Sequence, residues 1–340
     1  MSKEFIATTL KGAEPFLKEE LSSYNIESTQ ESRFCRFEAD KKRMLEFSYF
    51  SQIAERICFI EGDSSINNIE LPSTLKEERF HPIIIADEEK KEAIREQLEQ
   101  KRAVRYNSDT IVLAIQSSED KLLWARDLFS TDFSKRDYKV FITPRTLHPI
   151  IGAAMAQMSQ LKPDVRIFDP FCNDGTIVIE IALFMLHRSP NYYRKHIFQN
   201  EFFDFDVKEF LSKLDKKEKD LKLKLIASDI NSSSLAYTRK NAKIAGVHKK
   251  IQFSRKELEW IDSEFYKEPI HRIVSFAKPY SKRLKDFYHR LKECLDKESF
   301  LLYAIDKELD HPFEDEGFST QPKNTFWQGK KKIQLVKIKP

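Results

Sequence analysis

The sequence predicts an α/β protein in three parts: a small α+β unit, a second α/β module, and from about Leu147 onward a Rossmann-like domain with a doubly wound parallel sheet. Three observations carry this expectation. At 340 residues the chain exceeds what one hydrophobic core usually organises. From Val165 on, strands and helices alternate as a parallel sheet covered on both faces requires. Strand Val165-Arg-Ile-Phe168 then runs straight into the turn Asp169-Pro-Phe-Cys-Asn-Asp-Gly-Thr176 and an apolar helix, the place where doubly wound folds bind nucleotide-like ligands.

The first unit, residues 1–64, opens with the alternating strand Phe5-Ile-Ala-Thr-Thr9. Gly12-Ala-Glu-Pro15 turns the chain into a helix from Phe16 to Leu21, with Pro at the helix entrance where its missing N–H costs nothing. Phe47, Phe50, Ile53, Ala54 and Ile57 recur at spacings of three and four, which predicts one helix from Lys41 to Ile60. The second module, residues 65–140, holds strand Pro82–Ile85, the charged helix Glu88–Arg102 and strand Thr110–Ile115. Phe141–Pro149 reads as a linker that enters helix Ile150–Leu161.

In the third part, residues 141–340, helix Ile177–Leu186 follows the turn at Asp169. Strand Leu223–Ala227 ends at Ser228-Asp229 and leads into helix Ser232–Ala245. Strand Ile273–Phe276, helix Lys285–Leu295 and strand Ser299–Ile305 continue the pattern, and Phe326–Ile338 has the alternation of a terminal hairpin strand. Arg188–Phe205, rich in aromatics, reads as an insertion, and Lys208–Lys222 as a highly charged helix.

Composition narrows the function classes. With 41% hydrophobic and 33% charged residues the chain suits a globular protein rather than a disordered one. No apolar run approaches the roughly 20 residues that span a bilayer, and Met1-Ser2-Lys3-Glu4 leads into an amphipathic pattern instead of a signal-peptide core. The expectation is a cytoplasmic protein without membrane attachment. Cys35, Cys58, Cys172 and Cys294 lack metal-ligand spacing, so they are read as reduced thiols with no metal site. The net charge of +4, from 58 basic and 54 acidic residues, does not by itself announce nucleic acid. Local clusters at Lys41–Arg43, Lys135-Arg136, Lys278 with Lys282, Arg283 and Lys285, and Lys330–Lys332 are candidate phosphate contacts or solvated faces.

The turn after the first strand of the third part requires residues that tolerate positive φ, which Gly175 does freely and Asn173 better than most. Asp229, at the end of the next strand, is placed to accept both ribose hydroxyl protons of an adenosine. Helix capping is the alternative for Asp169 and Asp229.

Asp-Pro-Phe-Cys-x-x-Gly-Thr followed by Ile-Val-Ile-Glu180 resembles the first cofactor motif of class I methyltransferases that modify guanine N2 in RNA. Ala227-Ser-Asp-Ile-Asn231 through Asn241-Ala-Lys-Ile-Ala-Gly246 is similar to their second. Upstream, Phe5–Glu14, Tyr49–Ile57, Ser134-Lys-Arg-Asp-Tyr138 and Leu147-His-Pro149 resemble, in order, further segments of the THUMP-containing tRNA guanine-N2 methyltransferases. The resemblance implies an N-terminal ferredoxin-like domain, a diverged THUMP-type RNA-binding module and a Rossmann-like class I methyltransferase domain that uses S-adenosylmethionine on structured RNA, tRNA in particular. Carried over residue by residue, Asp169, Phe171 and Gly175 shape the methionine side of the pocket, with Asn173 and Thr176 of the same turn among the cofactor-binding residues. Asp229 holds the ribose with Ile230 beside it, and Glu257 lies near the adenine amino group.

Two words depart from the family. Its catalytic Asn/Asp-Pro-Pro-Tyr becomes Ala277-Lys278-Pro279-Tyr280, where the Ala277 side chain cannot accept a hydrogen bond from the exocyclic amine, Lys278 replaces a proline, and Tyr280 keeps a stacking face. In the first motif Asn173-Asp174 replaces Gly-Ser, which places a carboxylate beside the cofactor. The leading expectation is methyl transfer to guanine N2 of tRNA, directly from the cofactor. The alternatives are an RNA-binding scaffold that has lost catalysis and a methyltransferase acting on ribosomal RNA or another amine.

Overall fold

A computed structural model describes residues 3–76, 78–101, 104–255, 269–276, 282–306, 313 and 317–339. The N-terminal half contains β1 (Lys3–Thr8), α1 (Glu14–Ser23), β2 (Ser28–Glu31), β3 (Phe34–Ala39), α2 (Lys41–Phe50) and β4 (Arg56–Ser65). It continues with β5 (His81–Ile85), α3 (Glu88–Gln100), β6 (Ile111–Gln116) and β7 (Lys121–Asp127). These strands form one seven-stranded sheet in the order β2-β3-β1-β4-β7-β6-β5. β4 joins its halves, pairing antiparallel with β1 on one side and β7 on the other. One face carries the helices. On the other, Ile6 and Phe34 share an apolar cluster with Leu113, Ile115, Ile83 and Ile85, so side chains from distant strands of the sheet meet.

The predicted helix Lys41–Ile60 is half right. α2 is capped by Asp40, which accepts from the Arg43 N–H at 2.9 Å, and it stops at Phe50. There the Glu20 carboxylate accepts from the N–H groups of Gln52 at 2.8 Å and Ile53 at 3.4 Å, satisfying them outside a helix. Ile57 and Cys58 then enter β4. Their helical spacing reflects burial in two different elements. Strands β2, β3 and β7 were not foreseen. β2 is polar, and β7 (Lys-Leu-Leu-Trp-Ala-Arg-Asp) is buried on both faces along its middle, so neither shows a period of two.

The C-terminal half contains α4 (Pro149–Met158), β8 (Arg166–Asp169), α5 (Thr176–Leu186), α6 (Val207–Asp215), β9 (Lys224–Ser228), α7 (Ser232–Ile244) and β10 (Ile251–Ser254). β11 (Ile270–Phe276), α8 (Lys282–Leu291), β12 (Leu295–Asp306), β13 (Ser319–Gln328) and β14 (Lys331–Lys339) complete it. The sheet order is β10-β9-β8-β11-β12-β14-β13, parallel through β12, with β14 antiparallel to both neighbours. The predicted terminal strand is thus a two-stranded hairpin, and the predicted charged helix Lys208–Lys222 is the shorter α6, Val207–Asp215. The chain winds outward from β8 to β10 and returns to β11 on the opposite side of β8. That reversal opens a crevice at the carboxyl ends of β8 and β11.

The halves are packed as one body. A continuous core cluster runs from Phe5, Leu17 and Met44 to Ile150, Ile177 and Ile181. The aromatic insertion after α5 clamps the join. Phe198 meets Phe129, Phe133 and Tyr49 with ring centroids 5.1, 5.8 and 5.7 Å apart, and Arg194 donates to the carbonyls of Lys135 and Phe133. Among the described residues no helix is long and apolar enough to cross a membrane.

Candidate active site

The crevice is built from two strand ends and one turn. Asp169 closes β8, fully buried; its Oδ1 accepts from the Phe171 N–H at 3.1 Å and from the Ser275 hydroxyl of β11 at 2.6 Å. The carboxylate therefore ties the two strands that flank the topological switch. Phe171 is buried against Phe287 of α8, forming the floor under the turn.

Two residues of the turn take left-handed backbone, Asn173 at φ 50° and Gly175 at φ 85°. Gly175 is required twice over. Its φ suits glycine, and a Cβ there would lie 2.7 Å from Thr238 Cγ2 and 3.1 Å from Thr238 Cα. The Asn173 N–H donates to Asp229 Oδ2 at 3.2 Å, and the Asn231 N–H donates to Asp229 Oδ1 at 3.0 Å. Asp229, buried at the end of β9, thus joins the second strand end to the turn, while neighbouring Ile230 is 40% exposed at the crevice edge.

Asp169, Phe171, Asn173, Gly175, Thr176, Asp229 and Ile230 thus gather at the carboxyl ends of the neighbouring interior strands β8 and β9. Glu257, Ala277, Lys278, Pro279 and Tyr280 lie outside the described residues. The end of β11, from which Ala277 follows, is Phe276; the Arg145 guanidinium stands 5.0 Å over its ring.

Asp174 corrects the sequence expectation. Its carboxylate is not offered to the crevice but is buried behind the turn. Oδ1 accepts from the Thr176 N–H at 3.3 Å and its hydroxyl at 2.8 Å, and Oδ2 accepts from the Thr146 hydroxyl. The Lys139 ammonium donates to Thr176 Oγ1 at 2.8 Å and lies 3.9 Å from Asp174 Oδ2. Burial pushes the Lys139 pKa down, and Asp174 and Glu180 oppose that displacement.

Several positioning residues escaped the sequence reading. The Asn241 side chain donates to the carbonyls of Phe141 and Asp174, both at 2.8 Å, and accepts from the Phe141 N–H at 3.0 Å. This single amide fixes the linker to the turn, which gives a physical reason for Asn in the Asn-Ala-x-x-Ala-Gly word. Thr238 donates to the Asn173 carbonyl at 3.0 Å. No signal of spacing marks Thr238, Ser275 or Lys139, because each acts across elements distant in sequence.

Behind α5 lies a buried hub. Glu180 accepts from Arg136 Nε at 2.9 Å, Tyr138 OH at 2.7 Å and Gln52 Nε2 at 2.6 Å. The words Tyr49–Ile57 and Ser134–Tyr138 therefore converge on the glutamate of the first motif. Among the described residues no group of three or more His, Cys, Asp or Glu could hold a metal.

Comparison with known proteins matches this architecture. Residues 136–310 match the RMKL-like methyltransferase domain, and residues 4–58 match the RlmL ferredoxin-like domain. The chain is 25% identical over 284 residues, 74% of each chain, to the tRNA (guanine(6)-N2)-methyltransferase of Methanocaldococcus jannaschii. It is 30% identical over 171 residues to YpsC of Bacillus subtilis (strain 168), a protein provisionally named an RNA methyltransferase; that match spans 49% of this chain and 43% of YpsC. The structure of SMU.472 in complex with SAH shares the fold at a TM-score of 0.73 and 18% identity, covering 99% of this chain and 97% of that one. On the match across 136–310, half of its length, and the sheet order that goes with it, the chain belongs to the RMKL-like methyltransferase domain family, with an RlmL-type ferredoxin-like domain at its N-terminus.

Proposed function

We propose that this chain is an S-adenosylmethionine-dependent RNA methyltransferase that modifies guanine N2 in tRNA, acting in the cytoplasm. The observation that carries the cofactor assignment is the tie between the Asn173 N–H and Asp229, which sets a buried acid at the end of β9 beside a glycine-containing turn. The residues fit the group: Asp229 is the acid for the ribose hydroxyls, and the exposed apolar Ile230 offers a face to an adenine ring. The turn at Asn173, Gly175 and Thr176, over Asp169 and Phe171, holds the methionine end, and Glu257 is assigned to the adenine amino group. When bound, S-adenosylmethionine supplies an activated methyl group. The chain's own part is to bind, orient and exclude water.

The substrate assignment is supported by the likeness to a named tRNA guanine-N2 enzyme over 74% of both chains. In this reading β5, α3, β6 and β7 form a THUMP-type RNA-binding module. In the same reading Tyr280, in the word Ala277-Lys278-Pro279-Tyr280, stacks on a target base that has left its helix, at a cost of a few kcal/mol.

The test is incubation with methyl-labelled S-adenosylmethionine and total small RNA, followed by nucleoside analysis. N2-methylguanosine in tRNA is expected; label confined to another base or to ribosomal RNA overturns the substrate assignment. Asp229→Ala should lower cofactor affinity by at least tenfold, since a charge-assisted hydrogen bond is worth about 1.5 to 3 kcal/mol; calorimetry on a variant of unchanged melting temperature reads this.

A second reading, a scaffold that has lost catalysis, is favoured by Ala277 and Lys278 in place of the family's Asn/Asp and Pro. Ala277→Asn with Lys278→Pro separates the two. A wild type without activity that stays inert after the word is restored, while binding cofactor and RNA, favours the scaffold.

A further inference from the structure

The cofactor residues sit over β8 and β9, which leaves the crevice above β11, β12 and β14 for the substrate. The β13–β14 hairpin bounds that half. β11 is level with β12 at Phe276 and Ala304, and Ala304 pairs with Leu335 of β14. From Leu335 to Lys330, five residues at about 3.3 Å each carry the turn about 16 Å past the end of β11, and from Ile333, the partner of Asp306, three residues carry it about 10 Å past the end of β12. At its tip, a Cβ built on Gly329 would meet nothing within 4 Å, so the turn stands clear as a wall.

This wall is basic and braced. Lys330, Lys331 and Lys332 are exposed, as is Lys11 from the β1–α1 turn. The Lys11 ammonium lies 4.9 Å, and that of Lys332 6.0 Å, from the centroid of the Trp327 ring, contacts that hold both cations in place. Lys11 and Trp327 are also tied through the backbone, the Trp327 N–H donating to the Lys11 carbonyl at 3.1 Å. None of these four lysines forms an ion pair with a described residue. The field of Lys330 reaches the second module: Glu88, at the start of α3, has its pKa lowered first by its hydrogen bond to Lys91 and to a smaller extent by Lys330 and Arg33.

We propose that the β13–β14 turn, with Lys11, is a phosphate-binding wall that grips the RNA strand flanking the target nucleotide. The proposal rests on the RNA-substrate reading above and deepens it. Lys330, Lys331 and Lys332 bind backbone phosphates beside the crevice, while Trp327 fixes the spacing of Lys332 and Lys11.

The test uses the full chain, unfractionated tRNA and filter binding across a salt series. Lys330→Ala/Lys331→Ala/Lys332→Ala is compared with Lys162→Ala/Lys208→Ala/Lys216→Ala, which removes the same charge from exposed positions elsewhere. The hairpin triple should weaken tRNA binding at least tenfold and flatten the plot of log affinity against log salt by about 2 to 3, since each lost phosphate contact contributes about 0.7 to 0.9. Cofactor affinity should be unchanged and the control triple should stay within about twofold of wild type, because its lysines lie outside the wall; a diffuse field, which has no positional preference, would weaken both triples alike. If the wild type binds tRNA and the two triples lose affinity equally, or neither loses any, the wall is overturned alone. If the wild type binds no tRNA, the wall and the substrate reading fall together.

Discussion

His148 precedes the first turn of α4, and its backbone N–H donates to Gln328 Oε1 at 2.9 Å. Its Nδ1 is buried, with no hydrogen-bond partner among the described residues. Burial first, then Lys139 and Arg136, push its pKa from 6.5 down to about 4, with Asp132 opposing. A histidine depressed in the folded state binds fewer protons there than in the unfolded chain, so stability rises with pH between the two values and is lost as pH falls from 6.5 toward 4. Between pH 7 and pH 5 the loss from this group should be about 2 kcal/mol. His148→Asn removes the titration. Urea midpoints at the two pH values should show a correspondingly smaller acid loss in the variant, and equal losses would mean that His148 is readily protonated in the folded state.

At the scale of elements, the turn between β8 and α5 is held from below by Asp169 and from the side by Asp229, Thr238 and Asn241. Gly175→Ala should destabilise it, because left-handed backbone costs an L side chain about 1 to 2 kcal/mol and the new Cβ would meet Thr238 Cγ2 at 2.7 Å. Melting temperature and cofactor affinity should both fall. Thr238→Ser in the same chain removes the clashing methyl, keeps the hydroxyl that bonds the Asn173 carbonyl, and should recover part of the loss; no recovery would place the whole cost in the backbone. The need for glycine here was legible in the sequence, as were the strand before it and the acid at Asp229, because each is local and follows a turn or strand-end rule. Asp174 was not legible. Its identity suggested a carboxylate in the crevice, whereas its direction is set by Thr146 and Lys139, which lie about 30 residues upstream. The end of α2 failed for a similar reason: Glu20, 31 residues before Ser51, accepts the bonds that stop the helix.

For the whole molecule, the decisive contact is the hub at Glu180, where Gln52 from the N-terminal half, Arg136 and Tyr138 from the connection and α5 from the methyltransferase domain meet in a fully buried network. The Arg136 guanidinium also donates to the carbonyls of Gln52 and Phe133, so one cation fastens three segments. A buried pair of this kind costs more to break than it contributed in forming, because removing one partner leaves the other charged and desolvated; such losses are about 3 to 5 kcal/mol. Glu180→Ala should therefore cost about that much, whereas Glu180→Leu with Arg136→Leu should cost less, since neither charge is stranded. The continuous core from Phe5 to Ile181 further implies that the two halves unfold together. Urea denaturation followed by tryptophan fluorescence, which includes Trp124 of β7, and by far-ultraviolet circular dichroism should give coincident transitions, both displaced in Glu180→Ala. If the wild type shows two separate transitions and Glu180→Ala moves only one, the hub stabilises α5 alone and does not couple the N-terminal half to the site.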